Sequence, residues 1–203
     1  MNKTNKNIFP IFSELIPRKQ KELLLSQKGL TIWLTGLSGS GKTTIGKYLE
    51  KILHKENIIT KLLDGDNIRV GLNKDLGFSD KDRNENIRRI AEVSKLFVEC
   101  GIVTINCFVS PSKKQRKLAR SIIGEENFYE VFIDASVDEC EKRDVKGLYA
   151  KAKKGLIPNF TGISADFEIP NKPNIIINTT QQTIEQSGDK LFDFILPLIK
   201  NIK

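Results

Sequence analysis

The sequence predicts a three-layer α/β domain built on a mostly parallel, five-stranded sheet. Five short segments are apolar and rich in β-branched or aromatic residues, which is typical of buried strands: residues 30–35, 58–63, 102–109, 129–133 and 174–178. Segments with a helical repeat of apolar residues lie between them. Because strands and helices alternate along the chain, we expect a largely parallel sheet with helices on both faces. The length of 203 residues suits a single domain.

Three helices are predicted by this repeat and by their end signals. The first follows residue 42, the second precedes Gly101, which is placed to end it, and the last covers residues 183–203. Ser79 with Asp82, and Ser136 with Glu139, resemble the capping boxes that begin helices. The residues that define the three repeats are Ile45, Leu49 and Ile52, then Ile87, Ile90, Ala91, Ser94 and Val98, then Ile184, Leu191, Phe192, Ile195 and Ile199.

Two parts of the chain show no clear repeat. Residues 1–28 are expected to form an N-terminal extension to a domain of residues 29–203. Within the extension, the run Phe9-Pro10-Ile11-Phe12 is consistent with an arm that packs on a partner subunit or with a poorly ordered terminus. Residues 146–173 are rich in Lys, Gly and Pro, and we expect them to form a long mobile loop that acts as a lid.

Charge and cysteine content restrict the class of protein. The net charge is +8, but the basic residues are interspersed with acids at helix-like spacing, which favours a solvated surface and a site for small polyanions over nucleic-acid binding. The three widely spaced cysteines lack metal-ligand spacing and suit reduced thiols. No stretch resembles a secretory signal or a membrane span. We therefore expect a cytoplasmic protein without nucleic-acid or membrane partners.

A glycine-rich loop directly follows the first predicted strand. Its eight residues, Gly36-Leu37-Ser38-Gly39-Ser40-Gly41-Lys42-Thr43, meet every position of the Walker A pattern, and Thr44 continues into a helix. Glycines allow backbone dihedrals that point successive amides at one centre, Lys42 can reach the outer phosphates, and the Thr43 hydroxyl can bind Mg²⁺. The positive N-terminal end of the helix adds to this site. The pattern predicts a nucleoside triphosphate site.

Two other interpretations fit parts of this loop. A flexible linker also uses Gly and Ser, but this segment lies between a strand and an amphipathic helix rather than between domains. A dinucleotide-binding loop needs a third glycine where this chain has Thr44, although Asp64 lies about where that fold places its ribose-binding acid. Lys42 and Thr43 favour a triphosphate, and with it the P-loop NTPase fold.

Two carboxylates follow the second predicted strand, in the run Leu63-Asp64-Gly65-Asp66-Asn67. Open parallel sheets bind ligands at the carboxyl ends of their strands, so we expect this run to lie near the phosphates held by the loop. One carboxylate can orient magnesium or receive the proton of an attacking hydroxyl, and the other can fix the acceptor. An ordinary Asp-Gly turn is the plain structural alternative.

Further candidate ligands come after this run and after the third strand. Arg83 and Asn86 lie three residues apart near the start of a helix, so both can bind one oxyanion, with Arg69 nearby. A solvated helix face, balanced by neighbouring acids, is the alternative. Ser110 ends the third strand and can either bind a ligand or cap the next helix.

Taken together in this order, these segments resemble the adenylylsulfate kinase family over residues 30 to about 180. The Walker A loop alone indicates only a superfamily, and the specific likeness comes from the blocks that follow it. The resemblance implies a P-loop kinase that uses ATP to phosphorylate the 3′-hydroxyl of adenosine 5′-phosphosulfate. The blocks are Leu63-Asp64-Gly65-Asp66-Asn67-Ile68-Arg69, Asp75-Leu76-Gly77-Phe78-Ser79, Asp82-Arg83-Asn84-Glu85-Asn86-Ile87-Arg88-Arg89, Phe108-Val109-Ser110-Pro111, Cys140-Glu141-Lys142-Arg143-Asp144-Val145-Lys146-Gly147-Leu148-Tyr149 and Asn159-Phe160-Thr161-Gly162-Ile163.

The resemblance also implies roles for the matching residues. Residues 36–44 would bind ATP, Thr43 and Asp64 would bind Mg²⁺, and Lys42, Asp64 and Ser110 would be catalytic. Ser110 matches a position that is traditionally labelled a phosphoserine intermediate in this family. Because in-line transfer between two bound nucleotides needs no protein nucleophile, substrate contact is the simpler expectation. The residues expected around the adenylylsulfate are Asp66, Asn67, Arg69, Phe78, Arg83, Asn86, Val109, Ser110, Lys146, Gly162 and Ile163.

The resemblance also implies partners, and two other functions have to be compared with the one that it implies. We expect adenosine 5′-phosphosulfate as the substrate, a homodimer, and association with ATP sulfurylase. The nearest alternative is another small-molecule kinase, acting on a sugar, an amino acid or a nucleoside monophosphate, which the acceptor-side block of residues 64–89 argues against. A non-catalytic nucleotide-binding module is a second alternative, and the intact Lys42, Thr43, Asp64 and Asp66 argue against it.

Overall fold

The five predicted strands form one sheet in the computed structural model, which describes residues 7–201, and every pairing is parallel. The strands are β1 (Thr31–Thr35), β2 (Thr60–Asp64), β3 (Val103–Cys107), β4 (Phe128–Asp134) and β5 (Ile175–Asn178), in the order β2-β3-β1-β4-β5. The central strand β1 pairs with β3 on one side and β4 on the other, with Thr31 opposite Thr104 and Leu34 opposite Val131. The predicted α/β fold is confirmed.

Eight helices connect or flank these strands within the described residues. The predicted caps at Ser79 and Ser136 are present, because each hydroxyl accepts a hydrogen bond from the third backbone amide beyond it. None of the helices within residues 7–201 is long and apolar enough to cross a membrane. The helices are α1 (Arg18–Leu25), α2 (Lys42–Lys55), α3 (Gly65–Val70), α4 (Asp80–Glu99), α5 (Lys113–Ile123), α6 (Val137–Arg143), α7 (Leu148–Lys153) and α8 (Ile184–Lys200).

Each face of the sheet buries its own apolar core. Helices α2 and α8 cover one face with Ile45, Leu49, Leu191 and Ile195 among the fully buried side chains, and α4 and α5 cover the other. On the second face the Trp33 ring packs between Phe108 and Phe128, with centroid distances of 5.7 and 5.5 Å. The three-layer arrangement therefore follows from apolar stripes on both sets of helices.

One glycine allows helix α2 to pack closely against the sheet. A Cβ atom on Gly46 would lie 2.7 Å from the sulfur of Cys107 and 3.3 Å from a methyl group of Leu62. Any larger residue at this position would force the helix away from β3. The approach places the first turn of α2 beside the carboxyl end of β3, where the Cys107 thiol donates to the carbonyl oxygen of Lys42 at 3.5 Å.

Every strand differs from its predicted bounds by at least one residue, and the differences are largest in the second, third and fourth strands. The second strand begins at Thr60 rather than residue 58, because residues 57–59 complete the C-terminal turn of α2, with Asn57 in the left-handed region and the Ile58 amide bonded to the carbonyl of Leu53. The third strand ends at Cys107 rather than residue 109. The fourth strand is longer than predicted, spanning Phe128–Asp134 rather than residues 129–133.

The segment predicted as a lid loop contains a helix, α7. The Asp144 carboxylate begins it by accepting hydrogen bonds from the amides of Tyr149 and Ala150, both at 3.1 Å. The sequence pattern does not predict this helix, because Gly and Lys dominate the segment and its apolar repeat is only one turn long. Helix α3 was missed for a similar reason, since the Asp-Gly pair that signals a turn here opens a helix capped by Asp64.

The predicted N-terminal extension divides into two parts. From Arg18 onward it packs on the domain: the Arg18 guanidinium donates to the carbonyl of Gly29 (2.7 Å) and to the side chain of Asn127 (2.9 Å), and the buried Gln27 side chain donates to the carbonyl of Gly101 (2.8 Å). Residues 1–6 of the extension and 202–203 of the predicted last helix lie outside the described residues. Residues 8–16, called the apolar arm below, carry six large apolar side chains that are each more than half exposed: Ile8, Phe9, Ile11, Phe12, Leu15 and Ile16.

Candidate active site

The glycine-rich loop connects β1 to α2 in a conformation that needs its glycines. Gly41 precedes α2 with φ of 103°, in the left-handed region that side chains disfavour. Gly36 lies against β4, where a Cβ atom would come within 2.5 Å of the carbonyl oxygen of Ile133. The Walker A spacing therefore reflects both backbone freedom and close packing.

Lys42 is buried inside this loop. Its ammonium group donates to the carbonyl oxygens of Gly36 (2.9 Å) and Leu37 (2.7 Å). Burial lowers the pKa of Lys42 from its ordinary value of 10.5 to about 8. This loop favours a polyanion, because burial deprives the Lys42 ammonium of water and the negative charge of a bound phosphate would stabilise it instead.

Thr43 and Asp64 connect the loop to the second strand. The Thr43 hydroxyl donates to one carboxylate oxygen of Asp64 at 2.7 Å. The other oxygen of Asp64 accepts from the backbone amide of Asp66 at 3.0 Å and caps α3. Two hard oxygen groups thus lie side by side, which is the type of ligand that Mg²⁺ takes, and the two residues predicted as its ligands are in contact.

The second carboxylate of the run, Asp66, faces the lid segment. Its exposed side chain forms an ion pair with Lys146, which lies just before α7. Asn67 is exposed on the same helix, α3. The structure therefore brings together Asp66 and Lys146, two predicted acceptor residues whose contact does not follow from their spacing in the sequence.

Arg69, Phe78 and Arg83 form a compact cluster. The Arg69 guanidinium lies 4.3 Å from the centre of the Phe78 ring and donates to the carbonyls of residues 76 and 77. The Arg83 Nε donates to the carbonyl of Phe78 at 2.9 Å. Burial, and then the charge of Arg83, lower the pKa of Arg69. The Phe78 ring is 63% exposed, so it offers an open aromatic surface beside two cations.

Arg83 also reaches the lid segment. It donates to the carbonyl of Asn159 (2.9 Å) and to the Thr161 hydroxyl (3.5 Å). Gly162 follows Thr161 and lies against the glycine-rich loop, where an added Cβ atom would come within 3.0 Å of Leu37. Ile163, the next residue, is partly exposed. Gly162 therefore lies against the glycine-rich loop, and Arg83 connects α4 to the lid residues just before it.

Two predicted site residues are more buried than expected. The Asn86 side chain is buried and its carbonyl oxygen accepts from the Asn73 side chain at 2.9 Å. The Ser110 hydroxyl accepts from the indole nitrogen of Trp33 at 3.0 Å and donates to Thr35 at 3.1 Å, and Ser110 is 3% exposed. The predicted helix-cap role of Ser110 belongs instead to Ser112, whose hydroxyl accepts from the amide of Gln115.

The end of the third strand is fixed by the same contacts. The Thr35 hydroxyl donates to the carbonyl of Val109 at 2.8 Å, and Ser110 itself has a left-handed φ of 38°. Its carbonyl accepts from the buried Arg116 guanidinium at 2.7 Å. Val109 and Ser110 thus form a rigid wall at the carboxyl end of β3, next to the central strand.

Three side chains hold the glycine-rich loop and its surroundings by hydrogen bonds, and two of them, Thr179 and Tyr149, have no role in the sequence prediction. The Thr179 hydroxyl donates to the carbonyl of Ser40 at 2.8 Å, and Arg143 donates to the carbonyl of Thr179 at 2.9 Å. The Tyr149 hydroxyl donates to the carbonyl of Ser38 at 2.8 Å. Arg143 and Tyr149 stand in one of the family-like blocks, but only the fold shows that this block packs on the loop.

Comparison with known proteins assigns the chain to a family. The family model described as "Adenylylsulphate kinase" matches residues 28–178. The adenylyl-sulfate kinase of Bacteroides fragilis strain ATCC 25285 is 54% identical over 195 residues, covering 96% of each chain, and that of Saccharomyces cerevisiae is 49% identical over 179 residues, covering 87% of this chain and 89% of the yeast protein.

Solved structures agree with this assignment. The structure of the Mycobacterium tuberculosis APS kinase CysC in complex with AMPPNP and APS has a TM-score of 0.80 and 41% identity, over 83% of this chain and 98% of that one. A gluconokinase from Sinorhizobium meliloti, at 16% identity and a TM-score of 0.57, shares the fold. By its sequence, its fold and its similarity to these proteins, the chain belongs to the adenylylsulphate kinase family.

Proposed function

We propose that this chain transfers the γ-phosphoryl group of ATP to the 3′-hydroxyl of adenosine 5′-phosphosulfate, giving 3′-phosphoadenosine 5′-phosphosulfate and ADP. The observation that carries the proposal is the 2.7 Å hydrogen bond from Thr43 to Asp64, because it joins the triphosphate loop to the strand end that leads into the acceptor cluster. The similarity to a kinase whose structure is described as a complex with AMPPNP and APS supports the same two ligands.

The donor half of the site provides charge stabilisation. We assign the backbone amides of residues 36–44 and the Lys42 ammonium to the ATP phosphates. Phosphoryl transfer depends mainly on positioning and on neutralising the charge that develops on the transferred group. A buried cation whose hydrogen-bond partners are neutral carbonyl oxygens is well suited to this role, since phosphate oxygens would supply the negative charge that these partners lack.

Thr43 and Asp64 fit a magnesium site by the chemistry of their oxygens. When bound, Mg²⁺ would supply positive charge that neutralises phosphate oxygens. Asp64 has a second task available, because its carboxylate can accept the proton of the attacking ribose hydroxyl. Its fixed position as the N-cap of α3 would hold it ready for that proton.

The acceptor half of the site provides recognition. We assign the open face of Phe78 to the adenine ring, and Arg69 and Arg83 to the anionic phosphosulfate group. Arg83 would also bring the lid turn of Gly162 and Ile163 over the acceptor. Asp66 and Lys146 would close the site from the other side, with Asn67 beside them and Asn86 and Val109 behind.

We assign Ser110 to acceptor positioning rather than to a covalent intermediate. Its hydroxyl is buried and bonded to Trp33 and Thr35, so it is not free to attack a phosphoryl group. The contacts support a wall that orients the acceptor ribose. Mass measurement of the protein after turnover would then find no phosphoserine at this position.

The proposed reaction is tested by measuring ATP consumption with adenosine 5′-phosphosulfate beside control acceptors. We expect turnover only with adenosine 5′-phosphosulfate, and a 3′-phosphorylated product identified by mass. Gluconate, adenosine monophosphate and a buffer blank are suitable controls, because they represent other kinases and background ATP hydrolysis. Use of another acceptor with adenosine 5′-phosphosulfate ignored would refute the proposal.

We also propose a homodimer, in which the apolar arm packs on a second copy of the chain. Six large apolar side chains exposed within nine residues form an unusual surface for a monomer. Light scattering after size exclusion should give twice the chain mass of 23.0 kDa. Phe9→Asp with Phe12→Asp should shift this mass toward the monomer, whereas Leu156→Asp, at another exposed apolar residue, should not. An unchanged mass in the arm variant would refute this interface.

Two further assignments complete the proposal. A cytoplasmic location is supported by the three cysteines, all of which are free thiols, as a reducing compartment would keep them.

Association with ATP sulfurylase follows from the family resemblance. Chromatography of a mixture of the two proteins tests it, and elution as two separate peaks would exclude a stable complex.

A further inference from the structure

Tyr149 lies in a small apolar core beside the glycine-rich loop, called the loop-side core here. Helix α7 provides Tyr149, which is 1% exposed, and the loop provides Leu37. This core is separate from the two large cores of the sheet. Its members come from the loop, from the residue after β4, from α6 and α7, and from the lid segment: Leu37, Ala135, Cys140 and Tyr149, with Val137, Phe160 and Phe167 packed against them.

The Tyr149 hydroxyl fixes one peptide group of the loop. It donates to the carbonyl oxygen of Ser38 at 2.8 Å. In a trans peptide the carbonyl and the following amide point in opposite directions, so the Gly39 N–H points away from α7. Within residues 7–201 this amide donates to no protein acceptor. Helix α6 closes the side of Gly39 next to Cys140, where an added Cβ atom would lie 3.0 Å from the Cys140 carbonyl oxygen.

The ring of Tyr149 contacts the acceptor side of the lid. It meets the Phe160 ring edge to face, with centroids 5.0 Å apart and planes at 82°. The Phe160 carbonyl accepts hydrogen bonds from the amides of Ile163, Ser164 and Ala165, so Phe160 anchors the turn that carries Gly162. One side chain therefore contacts both the ATP loop and the acceptor turn, through different atoms.

We propose that Tyr149 is a positioning residue: its hydroxyl aims the Ser38–Gly39 peptide at the phosphates of ATP, and its ring supports the acceptor turn. This inference rests on the proposed binding of ATP at residues 36–44. A purely structural tyrosine would also be buried in a core, but its hydroxyl would have no effect that depends on phosphate. The distinction can be measured because the hydroxyl and the ring can be removed separately.

The test is the affinity of Tyr149→Phe for AMPPNP, ADP and AMP, measured by calorimetry. Removing the hydroxyl releases the Ser38 carbonyl and lets the Gly39 amide turn away, so we expect AMPPNP and ADP to bind about tenfold more weakly. AMP lacks the outer phosphates and should bind as it does to the unchanged protein. Tyr48→Phe is the matched control, because its hydroxyl is also hydrogen-bonded, to Asp189, but lies away from the loop.

Kinetics separates the ring from the hydroxyl. Tyr149→Phe should raise the KM for ATP and leave the KM for adenosine 5′-phosphosulfate unchanged, whereas Tyr149→Leu should raise both. Equal affinities of Tyr149→Phe and the unchanged protein for AMPPNP, or an equal loss for AMPPNP and AMP, would overturn the inference. If the unchanged protein fails to bind AMPPNP, the proposed function fails first and the inference falls with it.

Discussion

Replacing Lys42 by alanine should lower kcat by about 1,000-fold, because the variant lacks the cation that neutralises the transferred phosphoryl group. The Lys42 ammonium lies within the loop on two carbonyl oxygens, and the described residues offer no second buried cation there. Steady-state kinetics with ATP and adenosine 5′-phosphosulfate measures the effect. Turnover within tenfold of the unchanged enzyme would contradict the role assigned to Lys42.

Thermal unfolding provides the control for this prediction. Lys42 is buried without a carboxylate partner, so removing its charge relieves a desolvation cost. Lys42→Met keeps most of the side-chain volume and should unfold at the same temperature as the unchanged protein or higher, while remaining as inactive as Lys42→Ala. A large drop in the unfolding temperature of both variants would mean that the activity was lost with the fold.

The lowered pKa of Lys42 also predicts the direction in which kcat/KM for ATP changes with pH. Because burial lowers the pKa of Lys42 to about 8, the free enzyme carries the charge below that pH and loses it above. The kcat/KM for ATP, which reports on the free enzyme, should therefore decline as the pH rises through about 8. In Lys42→Arg the guanidinium stays protonated, so the residual activity of that variant should lack this decline.

Asp64 should be the second most sensitive position. Asp64→Asn removes the charge and the proton-accepting capacity of the carboxylate, and we expect kcat to fall by about 100- to 10,000-fold. Asparagine is also a good N-cap, so α3 should keep its first turn. Kinetics and thermal unfolding measured on the same preparation would show a large loss of rate with little loss of stability.

Asp64→Ala separates the two tasks of this side chain. Alanine cannot accept the hydrogen bond from the Asp66 amide, so this variant should lose about 1 kcal/mol of stability in addition to the activity lost by Asp64→Asn. Denaturant unfolding measures that difference. If Asp64→Asn keeps near-normal turnover, the carboxylate acts only as a cap and its catalytic role is wrong.

The fold was predictable because its signals are local. Each strand is a short apolar run, and each long helix repeats its apolar residues over several turns, so periodicity alone locates them. Short helices such as α3 and α7 lack this information, because a single turn presents too few residues to define a face. Helix α7 depends instead on a carboxylate, Asp144, that bonds amides five and six residues away.

The sequence supplied candidate residues for the site but not the contacts between them. The Walker A spacing and the family-like blocks identified Lys42, Asp64 and Arg83 as candidates. The hydrogen bond between Thr43 and Asp64 depends on how two strands are ordered in the sheet, which spacing along the chain does not contain. Likewise, only the fold shows that Trp33 reaches Ser110 and buries its hydroxyl.

The strand order places most groups proposed to bind ATP and most groups proposed to bind the acceptor in different halves of the sheet. The glycine-rich loop follows β1, and the side chains that contact it come after β5 and from the helices after β4. Asp64, Arg69 and Ser110 follow β2 and β3 on the other side of the sheet. We therefore expect substitutions after β2 and β3 to alter acceptor choice more than ATP binding, with the lid segment after β4 as the part of the acceptor site that lies in the other half. Such an arrangement would allow the acceptor specificity to change during evolution while the binding of ATP is retained.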